Sequence, residues 1–98
     1  MTQQYIIDYL KSKKEEFRQK YGITTLGLYG SYARNEAKES SDVDIFYDSN
    51  ETFSMGFLEF SKFLRQIEAD LHSKVDFVRL NSMNPIIKHY AKKDFIYV

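Results

Sequence analysis

The chain has 98 residues, with 14 Lys+Arg against 14 Asp+Glu and no cysteine. A formal net charge of zero offers no global field to draw it onto a phosphate backbone, and the missing cysteines remove disulfides, thiolate metal sites and thiol nucleophiles together. Its 43% apolar and 29% charged composition is that of a folded protein, and its length predicts a single domain over residues 1–98, with a thin core enlarged by eight Phe and eight Tyr.

From Gln4 to Tyr21, Ile6, Tyr9, Leu10, Phe17 and Tyr21 recur at helical spacing against a Lys/Glu-rich face, and Gly22 supplies a stop. Ile23–Tyr29 (ITTLGLY) reads as the first strand, ending at Gly30. A short helix is predicted over Ser31–Ala37, then a polar turn, KESS, leading into a second strand, Val43–Tyr47. A third helix is predicted from about Ser54 to Leu71, with Phe57, Phe60, Leu64, Ile67 and Leu71 on one face and the run Phe53, Phe57, Phe60, Phe63 as core packing. Val75–Leu80 makes a third strand. Asn84-Pro85 is a helix start, because Asn accepts from the first free N–H groups and Pro occupies a position whose own N–H has no partner. The fourth helix then spans Pro85–Lys92, and Phe95–Val98 is a fourth strand.

This order predicts an α/β (α+β) chain, a small mixed sheet packed with about four helices. Strands two and three, joined through the long third helix, should be parallel with a right-handed crossover. No apolar run reaches membrane-spanning length, and MTQQYIIDYL lacks a basic segment followed by an apolar stretch, which predicts a soluble, cytoplasmic protein without membrane or nucleic-acid partners. His72 and His89 lie far apart with no cysteine to join them, so a zinc site is not expected.

The chemistry concentrates in GSYARNEAKESSDVDIF, Gly30 to Phe46. A strand ending at Gly30 lets a ligand approach the backbone, and a helix capped by Ser31 would offer free N–H groups to an anion. Arg34, where a capping box would place Glu, opposes the dipole of such a helix, a broken local rule of the kind expected at functional sites; the alternative is an ordinary Ser-capped helix with an exposed Arg. Asp42 and Asp44, two apart on a strand, project from one face while Val43 and Ile45 take the other. Two carboxylates about 6 Å apart repel by roughly 3 kcal/mol at an effective dielectric near about 20, and a divalent cation reverses that sign. An all-oxygen ligand set suits Mg²⁺. Asp76, a lone acid in KVDFVRL, joins that face if strands two and three are neighbours. Neither GxxxxGK[ST] nor GxGxxG is present.

A strand ending in Gly-Ser, then x-Ala-Arg, a spacer, Ser-Asp-x-Asp-Ile and a later Val-Asp resembles the signature of polymerase β-like nucleotidyltransferases. More narrowly, it resembles the minimal nucleotidyltransferase (MNT) domain, the antitoxin half of HEPN/MNT toxin–antitoxin pairs. The resemblance implies the nucleotidyltransferase fold over nearly the whole chain. It implies that Gly30 and Ser31 hold nucleotide phosphates with Arg34 nearby, that Asp42 and Asp44 ligate Mg²⁺ (two ions), and that Asp76 completes a catalytic and metal-binding triad. It also implies in-line attack on the α-phosphate of ATP, with AMP passing to a hydroxyl, a tyrosine of a partner HEPN toxin. Asn35 departs from the Gly common in relatives, and Asn tolerates a left-handed backbone better than most residues. The alternative function is a non-catalytic antitoxin that neutralises its partner by covering it. Lys88, Tyr90, Lys92, Lys93 and Tyr97 form one candidate contact surface, and self-association is a further expectation.

Overall fold

A computed structural model describes residues 1–50 and 55–98, so the predicted start of the third helix at Ser54 and the Phe53 end of the aromatic run lie outside the described residues. Helix α1 spans Gln3–Tyr21. Thr2 opens it by accepting from the Tyr5 N–H at 3.1 Å, and Gly22 closes it at φ 65°, a left-handed conformation that spares Gly the Cβ penalty. Strand β1 (Ile23–Tyr29), the one-turn helix α2 (Gly30–Ala33), β2 (Val43–Ser49) and α3 (Phe57–Leu71) follow in that order. Then come β3 (Val75–Arg79), a 3₁₀ turn, α4 (Pro85–Ala91), a second 3₁₀ turn over Lys92–Asp94 and the two-residue β4 (Ile96–Tyr97).

The sheet order is β3-β2-β1-β4, with β2 parallel to β3 and β1 antiparallel to both β2 and β4. The parallel pair, joined through α3, is the one expected from the sequence. Pairing is irregular between Ile23 and Thr25, and the extra residue resets the two-residue alternation so that Ile23, Leu26 and Leu28 all reach the core. Val43, Ile45, Val75 and Phe77 join them, covered by Ile6, Ile7, Leu10 and Phe17 of α1 and Phe63, Ile67 and Leu71 of α3.

The opposite face carries Gly27, Tyr29, Asp44, Phe46 and Asp76. The Phe46 ring lies over Gly27, where a Cβ would stand 2.2 Å from Phe46 Cζ, and it stacks on Phe95 with centroids 4.4 Å apart. This second, smaller aromatic cluster makes Phe46 fully buried on the face that also bears the carboxylates.

Three expectations are corrected. Helix α3 buries Phe63 rather than Phe57, which is 83% exposed at the first turn, as is Leu58 at 74%. Ile7, absent from the predicted apolar stripe of α1, is buried. The predicted Ser31–Ala37 helix stops after Ala33, because Asn35 takes φ 58° and a left-handed residue cannot continue a right-handed helix.

One tertiary hydrogen bond ties the two large helices together: Tyr9 Oη donates to Asp70 Oδ2 at 2.7 Å. Burial and then the bond to Asp70 push the Tyr9 hydroxyl pKa well above its ordinary value. Tyr9→Phe should therefore cost about 0.5–1.5 kcal/mol, measured as a drop in the urea midpoint at unchanged slope.

Candidate active site

Strand alternation and the β2/β3 register build the site. Asp44 pairs with Asp76 across the parallel strands and with Tyr29 across the antiparallel ones, so all three side chains rise from the face away from the helices. Asp42 lies one residue before β2 and is exposed, as is Asp76, while Asp44 is half-buried. The Asp44 carboxyl is pushed up from 3.8 to about 6, by burial first and then by the charges of Asp76 and Asp42, with Arg34 pulling the other way. The three carboxylates thus share one electrostatic site.

Gly30 completes it. Its φ is +76°, and a Cβ there would stand 2.1 Å from Asp44 Oδ2. The missing side chain is therefore the space that the Asp44 carboxylate occupies, and the Gly30–Ser31 backbone follows directly. The turn is held from outside by Gln3, whose Nε2 donates to the carbonyls of Tyr32 at 3.2 Å and Ala33 at 2.8 Å, capping α2 from the start of α1.

Ser31 is not the helix cap expected from the sequence. Tyr29, in extended backbone, is the N-cap of α2 and Ser31 lies inside the helix. Arg34 is its C-cap, where positive charge complements the dipole, so no capping rule is broken. A four-residue helix also has little macrodipole, and the anion-binding potential rests on the local N–H groups of the turn that follows Gly30. The Arg34 guanidinium is tied to Glu36 Oε2 at 3.0 Å and to Asp94 Oδ2 at 3.2 Å. It lies close enough to Asp44 to lower that group's pKa.

Sequence reasoning missed Tyr29 and Asp94. The Tyr29 hydroxyl is pushed up to about 12, by burial and then by the charges of Asp44 and Asp76, so it belongs to the same site. The signal was available: Tyr29 alternates with the core residue Leu28 and so must share a face with Asp44. Asp94, sixty residues from Arg34, gave none.

Among the described residues, no three His, Cys, Asp or Glu side chains stand close enough together to form a ready-made metal cage. The donor set nevertheless fits Mg²⁺, which binds through one or two carboxylates and completes its shell with water and substrate phosphate. The Asp44 pKa is raised by burial first and then by the negative charges of Asp76 and Asp42, and a cation would relieve that second contribution. Asp42 and Asp76 are exposed, so the carboxylates stand on a shelf open to solvent. A cavity of about 500 Å³ between α1 and α3 touches none of the three carboxylates.

In the metal-free protein the Asp44 proton is held more tightly when folded than when unfolded. Its contribution to stability is therefore present below about pH 4 and lost as pH rises to about 6, by about 1–2 kcal/mol once screening of a half-exposed group is allowed for. Urea midpoints measured in EDTA across that range should fall with rising pH, and Asp44→Asn should flatten the slope.

Comparison with known proteins places the chain among nucleotidyl-transferring enzymes. The chain belongs to the polymerase β nucleotidyltransferase family, whose model matches residues 6–98. It is 37% identical over 98 residues to the protein adenylyltransferase MntA of Thermococcus cleftensis, covering 100% of this chain and 97% of that protein. Its fold matches that of a minimal nucleotidyltransferase at TM-score 0.77 and 22% identity, over 98% of this chain and 95% of that one. It also matches a toxin–antitoxin structure with AMP-PNP at TM-score 0.70 and 18% identity, over 99% and 72% of the two chains. A tri-AMPylated HEPN toxin in complex with its MNT antitoxin from Shewanella oneidensis matches at TM-score 0.60 and 18% identity, over 97% and 66%. Among the described residues, no helix is long and apolar enough to cross a membrane.

Proposed function

We propose that this nucleotidyltransferase transfers AMP from Mg-ATP to a tyrosine hydroxyl of a HEPN-type toxin and thereby acts as its antitoxin. The observation that carries the reading is the register of Asp44 against Asp76 beside a glycine whose missing Cβ leaves room for the Asp44 carboxylate. The identity to a protein adenylyltransferase and the fold shared with nucleotide-bound and AMPylated toxin–antitoxin complexes support it.

Asp42 and Asp44 would hold Mg²⁺, with Asp76 beside them. When bound, the ion supplies charge neutralisation for the triphosphate and for the leaving pyrophosphate. The backbone of Gly30 and Ser31 receives the phosphates, and Arg34 contributes positive charge at the edge of the shelf. Asp76, exposed and in register with Asp44, accepts the proton of the tyrosine hydroxyl. The tyrosine oxygen bonds to the α-phosphorus as the bond from that phosphorus to the bridging β-phosphate oxygen breaks, and pyrophosphate leaves.

Intact-mass spectrometry of a HEPN-type toxin from the organism that encodes this chain, after incubation with the chain, ATP and Mg²⁺, tests the reading. Mass increments of whole AMP units on a tyrosine-containing peptide are the expected result. An unmodified partner, with both proteins folded and nucleotide present, would overturn it.

A further inference from the structure

The C-terminal segment leaves a cluster of large apolar side chains uncovered on one short helix. On α4, Ile86, Ile87 and Tyr90 are 69%, 57% and 68% exposed, and no residue of that helix is buried. A seven-residue helix has little stability of its own, since most helical stability comes from packing an apolar face. Asn84 fastens its start by accepting from the Ile86 N–H at 2.9 Å, and the ion pair of Asp94 with Arg34 fastens the turn that follows. The helix is thus held at its ends and offers its apolar side to solvent.

That side faces a groove of about 430 Å³ whose far wall is Arg34 and Asp94. Arg34 closes α2, whose first residue Gly30 stands against the Asp44 carboxylate, so the groove begins one helical turn from the carboxylates. The surrounding charge is basic: Lys88 and His89 on α4, with Lys92 and Lys93 just after it. The one acid of that turn, Asp94, is occupied by Arg34. Two-fold pairing with a second copy would set these lysines against themselves, because a symmetric interface uses the same patch twice. A partner with an apolar patch ringed by carboxylates suits both the centre and the rim.

We propose that the exposed face of α4 and the groove beside Arg34 form the docking surface for the protein acceptor, and that the acceptor presents an apolar patch rimmed by acidic side chains. The inference rests on the protein-acceptor reading above and deepens it, by saying where that protein binds and what it offers.

Two variants test it with that HEPN-type toxin as probe. Ile86→Ser/Ile87→Ser/Tyr90→Ser alters only solvent-facing side chains. It should raise the acceptor KM and the calorimetric Kd by about tenfold or more, with kcat and the Mg-ATP-induced shift in Tm unchanged. Lys88→Glu/Lys92→Glu/Lys93→Glu should slow association and abolish its salt dependence, and it carries the test should the first variant fail to fold. An acceptor KM within about twofold of the parent in the folded variants would overturn the proposal. So would a parent dimer, seen by sedimentation, that the apolar substitutions dissolve. If the parent chain transfers no AMP, the functional reading fails by itself, while Kd still decides the docking surface.

Discussion

Asp44→Asn should lower AMP transfer by about three orders of magnitude while raising the melting temperature of the metal-free protein. Both effects have one cause. Asp44 is the most buried of the three carboxylates and feels the charges of Asp76 and Asp42, so its ionised form is unfavourable until a cation arrives. Removing that charge relieves about 1 kcal/mol at neutral pH, which in a chain of this size is a rise of about 4–8 °C. The same change would delete a proposed ligand for the ion that would neutralise the triphosphate. Calorimetric scans in EDTA and in Mg-ATP, together with single-turnover transfer rates, check the pair of effects. A more stable variant with parental activity would remove Asp44 from the catalytic site, and a less stable, inactive one would show only damage to the fold.

The second large effect is expected at Gly30. Gly30→Ala places a Cβ 2.1 Å from Asp44 Oδ2 and 2.9 Å from its Cγ, and does so at φ +76°, where L-residues are strained. The left-handed backbone alone costs about 1–2 kcal/mol, and the carboxylate must move as well. Displacing a carboxylate proposed to hold Mg²⁺ by about 1 Å should lower transfer about a hundredfold. Gly56→Ala is the control. Among the described residues a Cβ there meets nothing within 4 Å, and the substitution, at the N-cap of α3, should change stability by no more than about 1 kcal/mol. Transfer rates and urea midpoints of the two variants, measured side by side, separate the site from glycine replacement in general.

The sheet and the carboxylate face were legible because they depend on short-range rules. Gly22 and Asn84-Pro85 place helix ends through local hydrogen bonding. The two-residue alternation of VDIF and VDFV puts Asp44 and Asp76 on one face once the strands are parallel, and the intervening helix makes them so. Asn35 adopts the left-handed backbone that its polar side chain tolerates. What could not be read depends on groups distant in the chain. The helix after Gly30 ends within a turn, so Arg34 serves as its C-cap and pairs with Asp94, a partner in a segment that local pattern read only as leading to a strand. Phe57 fits the apolar period of α3 yet stays exposed at its first turn, while Phe63, one turn and a half along, packs between Phe17 and Phe77. Periodicity identifies a face, but tertiary contact decides how much of that face is covered.

The central claim is that chemistry at Asp42, Asp44 and Asp76, rather than mere coverage of the partner, silences the toxin. Growth of cells expressing the HEPN-type partner, with either the parent chain or its Asp42→Asn/Asp44→Asn variant at equal soluble abundance, tests it most directly. The account predicts that the parent restores growth and the folded variant does not. Full rescue by the transfer-dead variant would contradict it and make binding the basis of neutralisation.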